Sequence, residues 1–367
     1  MTQLKLKLTQ SACALALTCS LTIAAQARDN DGVLPNLPAV PNFITSTVPH
    51  NGDQNPYGIA YVPKGFPISD DAGPGDLLVT DFNNSNNLQG TGRTVMRIKP
   101  GGQRSIFYEG PKGKLGLSTA LGVLRAGFVL VGNVPTTDGT AKTIRHGSIL
   151  VLNRFGKLVA EWENPDLLNG PWDLTIADDG DHARVFVSNV LNGTVTRLDV
   201  VIPDGGLPAV QSAVIIAQGY RHRADSAALE VGPTGLAFDA RTDTLYVAST
   251  ADNSIYAVAD AAFSDPAVKR GVMVYHDSAH LRGPLGLVLT PNGDLITANG
   301  DAINPDARYP SELVEFTPAG QFVAEHPVDL GGQGGAFGIA LALRHEHVAL
   351  AVVDDIRNTV KVWAFVL

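Results

Sequence analysis

The sequence predicts an all-β protein: a six-bladed β-propeller of four-stranded antiparallel blades, with an N-terminal strand closing the last blade. Three observations predict it. A short phrase, Pro or Ala followed by a variable residue, usually Gly, and an aliphatic run, recurs six times; its third positions lie 64, 51, 62, 51 and 52 residues apart. Each copy is followed by a β-rich run ending in a small polar residue. No segment sustains a helical period.

The chain opens with Lys5 and Lys7, an apolar stretch around Ala12–Ala25, and Ala25-Gln26-Ala27. That order of charge, apolar run and small residues predicts a secretory signal over 1–27, cut after Ala27, and a secreted or periplasmic protein. The apolar run is too short to span a bilayer comfortably, so no membrane attachment is expected after cleavage. Both cysteines, Cys13 and Cys19, fall inside the signal. The mature chain is then expected to hold no disulfide, thiolate metal site or cysteine nucleophile. Removing the signal also takes away two lysines and no acid, leaving 25 basic against 36 acidic residues, or −11. Such a surface disfavours nucleic acid as a partner.

Residues 28–42 are rich in Pro and read as a flexible leader, and the propeller domain is expected over 43–367. Phe43–Val48 is a β-type run. The six phrases follow as Pro56-Tyr57-Gly58, Ala120-Leu121-Gly122, Pro171-Trp172-Asp173, Pro233-Thr234-Gly235, Pro284-Leu285-Gly286 and Ala336-Phe337-Gly338. Each is expected to open an innermost strand, where Pro and Gly suit a tight turn and close packing near the axis. The second runs end at Asp81, Asn133, Asn189, Ser249, Asn299 and Asp354. Third runs such as Ser254–Val258 and fourth runs such as Lys157–Trp162 complete four-stranded meanders. The sixth unit stops after its third strand, so Phe43–Val48 is expected to supply the missing one.

Pro233-Thr234-Gly235-Leu236-Ala237-Phe238-Asp239, with Leu245–Ser249 and Asn253–Tyr256, resembles an NHL repeat. The resemblance runs from about Asn51 to the C-terminus and implies a six-bladed propeller of the NHL and gluconolactonase-like (regucalcin-like) superfamily.

In such a propeller the blade links and the second-to-third turns share one face. Three of those turns, Asn84–Gly92, Val134–His146 and Gly300–Pro310, are long, as is the link Gly219–Gly232. A built-up mouth over the channel is therefore expected on this face; tolerated surface insertion is the alternative. The variable residues Tyr57, Leu121, Trp172, Thr234, Leu285 and Phe337 form a ring near that mouth, whose aromatics either bind a ligand or plug the axis. Asp173 stands where the other five phrases carry Gly, so a carboxylate is expected near the axis beside Trp172. Asp81, Asn133, Asn189, Asn299 and Asp354 could offer oxygens to a hard cation such as calcium, or could cap the following turns. The histidines do not occupy equivalent blade positions and give no metal signature.

Two functional readings remain open. One is an exported monomer that holds a small molecule or protein at its elaborated face, through Tyr57, Trp172, Asp173, Phe337 and Glu230. The other, implied by the resemblance, is a calcium-dependent lactonase or esterase-like hydrolase. Glu230 and the acids or amides at strand ends match that pattern, whereas Thr234 stands where it has Asn. A serine-nucleophile elbow, a phosphate-cradling loop and a dinucleotide fingerprint are all missing from the sequence.

Overall fold

The computed structural model describes residues 32–226, 228–263, 269–301, 303–344 and 347–367. The expected signal over 1–27, with both cysteines, lies outside the described residues.

Each phrase does open a blade. A short strand, β1 (Phe43–Ser46), comes first. Blade one is β2 (Gln54–Tyr61), β3 (Leu77–Asn83), β4 (Thr94–Ile98) and β5 (Arg104–Glu109). Blade two is β6 (Leu117–Leu124), β7 (Phe128–Asn133), β8 (Ser148–Asn153) and β9 (Leu158–Trp162). Blade three is β10 (Pro171–Asp178), β11 (His182–Asn189), β12 (Thr194–Val201) and β13 (Ala209–Gln218). The long link that follows carries its own hairpin, β14 (Arg223–Asp225) and β15 (Leu229–Val231). Blade four is β16 (Pro233–Asp239), β17 (Thr244–Ser249), β18 (Ser254–Ala259) and β19 (Val272–Tyr275). Blade five is β20 (Pro284–Leu289), β21 (Leu295–Asn299), β22 (Glu312–Phe316) and β23 (Phe322–Pro327). Blade six has β24 (Ala336–Arg344), β25 (His347–Asp354) and β26 (Thr359–Val366), and its outer strand is β1.

That closure is antiparallel, with Phe43 opposite Val362 and Ser46 opposite Thr359. Hydrogen bonds extend it at both ends, from Asn42 N to Val362 O (2.7 Å) and from Thr47 N to Asn358 O (2.9 Å). Each blade is sandwiched between two others, so both faces of its middle strands are covered. All of β3 and β4 is buried, whereas outer β5 exposes Arg104, Ser105 and Glu109. This is why the second runs read as continuous apolar stretches instead of alternating ones.

Two expectations need correction. Part of the leader expected to be flexible is docked: Val33 and Leu34 are buried, and their N–H groups bond the Glu315 carboxylate at 2.9 and 2.7 Å. A carboxylate buried in β22 needs donors, and this stretch supplies them. The second difference is one of register. Leu121 pairs with Val131, the place Ile59 takes opposite Val79 and Leu236 takes opposite Val247. The axial ring therefore holds Thr119, and Leu121 packs between blades one and two.

Candidate functional site

The first ring on the axis is Tyr57, Thr119, Trp172, Thr234, Leu285 and Phe337. Its aromatics form a plug. Tyr57 stacks on Phe337 at 3.8 Å between centroids and on Phe82 at 4.5 Å, and Trp172 meets Phe82 edge-on at 5.4 Å. Tyr57, Trp172 and Phe337 are buried, in one cluster with Val134, Val190, Leu229 and Leu285. Those partners come from the elaborated face: Val134 from the blade-two turn, Leu229 from the β14–β15 hairpin. Thr136 N bonds Gly90 O at 2.8 Å, tying the blade-one and blade-two turns together. The long loops do gather over the axis, but as a lid on an apolar plug. The mouth expected there is closed, because large rings at this level bury more apolar area when packed than when left facing water.

One layer deeper, five blades place Gly58, Ala120, Gly235, Gly286 and Gly338 on the axis. The inner strands run so close here that a Cβ on Gly235 would lie 2.1 Å from Leu285 O, and one on Gly338 2.1 Å from Tyr57 O. Blade three alone places a functional side chain at this level, Asp173. Below it the inner strands surround a channel of about 400 Å3 that runs to the opposite face, where Tyr61, Val123, Ile176, Phe238, Leu289 and Leu341 line its end. Apart from Thr119, Asp173, Thr175 and Tyr61, the lining side chains are aliphatic or aromatic, or are absent at glycine.

Asp173 is the one carboxylate in this lining among the described residues. Its Oδ1 accepts the N–H of Leu174 at 2.8 Å, and its Oδ2 accepts that of Leu236, across in blade four, at 3.2 Å. Its own N–H bonds Ser188 Oγ at 3.0 Å. The side chain touches the lumen yet is enclosed by protein, and burial pushes its carboxyl up to about 8 against the two backbone bonds that favour the charged form. The arrangement is a lone acid, fixed by two donors, at the blind end of a channel whose other side chains are uncharged.

Glu230 lies elsewhere. It sits in β15, where side chains alternate, so Leu229 joins the plug and Glu230 points away from it. Burial raises Glu230 to about 7, with Arg223 and Asp225 as its charged neighbours.

Three of the strand-end residues, Asn133, Asn189 and Asn299, clasp their strands to the links before their blades, and Asp354 caps the turn that follows it. Asn133 Oδ1 accepts Gly116 N at 2.9 Å. Asn189 Oδ1 accepts Asn169 N at 3.0 Å while its amide donates to Leu167 O, also 3.0 Å. Asn299 does the same with Arg282 N (2.9 Å) and His280 O (2.6 Å). Asp354 takes Arg357 N at 3.0 Å and Lys361 Nζ at 2.8 Å. Ser249 makes no such clasp; Asn253, beyond the end of its strand, holds the following link instead, accepting Gly283 N at 2.8 Å and donating to Leu281 O at 3.0 Å. Asn253 follows its strand by four residues, which hides it from a strand-end pattern. Asp81 differs from all of these and has no such bond.

The implied divalent cation does not fit at the axis. The first ring offers no carboxylate, and the Thr234 hydroxyl is shared with Thr250 Oγ1 (3.0 Å) and Pro284 O (3.2 Å). Asn133, Asn189, Asn299 and Asp354 are engaged as above, so they do not form the converging ring that would hold a metal. Among the described residues no three His, Cys, Asp or Glu side chains group so as to hold a metal ion.

No protein-family model matches the sequence, and no curated protein matches it. Solved structures match over most of the chain. A candidate gluconolactonase is 15% identical, with a TM-score of 0.53, covering 91% of this chain and 96% of its own. The fold is that of the gluconolactonase and regucalcin-like propellers. A candidate oxidoreductase (glucose dehydrogenase) from Thermus thermophilus is 14% identical, covering 88% of this propeller and 99% of its own chain, with a TM-score of 0.50. Regucalcin from Agrobacterium tumefaciens, a calcium-binding protein, is 12% identical, covering 84% of this chain and 86% of its own, with a TM-score of 0.50. At such identities the propellers share architecture, and the chemistry has to be argued from the residues on the axis.

Proposed function

We propose that this propeller is a small-molecule hydrolase that draws a neutral ester or lactone into its axial channel, with Asp173 as general base. The observation that carries the reading is the lone carboxyl that reaches into the channel at a level where five blades present Gly or Ala. A carboxyl near 8 is poised to exchange a proton at neutral pH. As water adds to the acyl carbon, Asp173 takes its proton, and it returns that proton to the leaving oxygen when the C–O bond breaks. The Leu174 and Leu236 N–H groups hold the carboxylate in place while it is charged. The channel side chains are mostly aliphatic and carry no charge besides Asp173, so a neutral substrate suits it. The fold shared with a candidate gluconolactonase supports the same class of reaction. The setting of this reading is an exported monomer freed of residues 1–27.

The aliphatic lining favours a second reading, in which the channel only holds its ligand. One experiment separates the two. A panel of lactones and aryl esters is assayed with the wild type and Asp173→Asn. Hydrolysis should fall on the order of 100-fold in kcat, with little change in KM. Because the active base is ionised, kcat/KM should climb about tenfold per pH unit below the raised value and level off above pH 8. Equal turnover by Asp173→Asn would remove Asp173 as the base. Saturable binding without any turnover would establish the holding role instead.

A further inference from the structure

Asn133, Asn189 and Asn299 each bond the link before their own blade, and Asp354 is held by Arg357 and Lys361 of its own blade; Asp81 makes neither kind of contact. Asp81 occupies in β3 the place that Asn133 and Asn189 occupy in their blades, opposite the Pro or Leu that opens the inner strand. It is wholly buried, and its carboxylate oxygens have no close partner among the described residues beyond the neighbouring Thr47 hydroxyl. Two residues on, and so on the same face of the strand, Asn83 is buried with its Oδ1 equally unpartnered, while its amide donates to Asn87 Oδ1 at 2.7 Å. Leu77 and Val79 continue that face and pack with Val360 and Val362 of β26, so it is the face turned to blade six. The seam is where the ring closes.

What surrounds these oxygens is also acceptor-rich. The buried Thr47 hydroxyl lies against the Asp81 carboxylate, where it favours the charged form, and also meets Asn358 O at 3.3 Å. Asp53 is a second buried carboxylate nearby, and its Oδ2 takes Thr94 Oγ1 at 2.7 Å and Arg93 N at 3.0 Å. Three oxygens on one buried face, a carboxylate among them, with a single shared hydroxyl as donor, form a costly arrangement in the absence of a counter-charge. Nitrogen and sulfur ligands are not part of the cluster, and hard cations prefer carboxylate, amide and hydroxyl oxygens completed by water.

We infer that a hard cation of the calcium type binds in the seam between blades six and one, on the Asp81 carboxylate and the Asn83 amide oxygen. There it joins the first blade to the last, away from the axial channel. The Thr47 hydroxyl and water complete the oxygen shell.

The test uses the purified protein stripped with chelator and unfolded by heat with CaCl2, MgCl2 or NaCl added. CaCl2 at a hundredfold excess over its Kd should raise Tm by roughly 4 °C. Elemental analysis before stripping should find roughly one calcium per chain. Asp81→Asn keeps the shape and removes the charge; stripped of metal it should melt at or above the wild type, and calcium should no longer move it. Asn83→Ala should raise the half-saturating calcium concentration about tenfold. Asp173→Asn, on the axis, should respond to calcium as the wild type does. A wild type that no cation shifts, or an Asp81→Asn that responds fully, overturns the site. Loss of the response in Asp173→Asn would move the ion to the axis and overturn it as well.

Discussion

Asp173 shows how one side chain can be costly for folding and still define the site. In the unfolded chain its carboxyl has the ordinary aspartate value, and in the folded protein burial lifts it to about 8. Ionisation therefore disfavours the folded state. The cost is absent below about pH 4, grows as pH rises, and is complete above the folded value. Asp173→Asn should accordingly match the wild type in stability near pH 4 and exceed it increasingly up to pH 8, by on the order of 5 kcal/mol. Urea unfolding at pH 4, 6 and 8 measures this. A constant difference across that range would mean the carboxyl titrates as it does in water.

At the scale of elements, β1 matters beyond its four residues. It covers β26, whose backbone would otherwise be a free edge at the rim of blade six. A chain beginning at Pro49 should melt below one beginning at Gly32 and should self-associate as its concentration rises, through the uncovered β26. Differential scanning calorimetry and sedimentation velocity read the two effects. Equal melting and a monomer at all concentrations would show that the pairing contributes nothing to closure. The docked turn at Val33–Asn36 is a different device: it satisfies Glu315 with backbone donors and pins the approach to β1.

For the whole molecule, the decisive feature is that the two ends of the axis are unlike. The aromatic plug and its lid close one end, and the inner strands leave the other open. Trp172→Ala should destabilise the protein by about 3–5 kcal/mol, because it empties a wholly buried site at the centre of the plug. It should also let a small apolar fluorophore reach the axis from the lid side. Denaturant unfolding and fluorophore binding test the two consequences. A loss under about 1 kcal/mol would mean the plug collapses into the space, as cores sometimes do.

Much of this was legible from residues alone. Six phrases at similar spacing identify six blades, and a sixth unit one strand short, with Phe43–Val48 unassigned, identifies the closure. Asp173 was visible because it breaks a glycine column. Its surroundings were not, since the Leu236 donor lies 63 residues further on. Asp and Asn at strand ends look alike as metal ligands and as caps until their partners are seen. Thr119 was missed because blade two carries an extra residue between Leu117 and Leu121, which only strand pairing reveals.

Repeat number, strand order and five of the six axial positions were set by the sequence itself, because they follow from local patterns and a period; Thr119 in blade two needed the strand pairing. Which end of the axis is open was decided only in three dimensions. Tyr57, Phe82, Trp172 and Phe337 come from three different blades and meet only when the ring closes, and a sequence pattern carries no record of which rings stack.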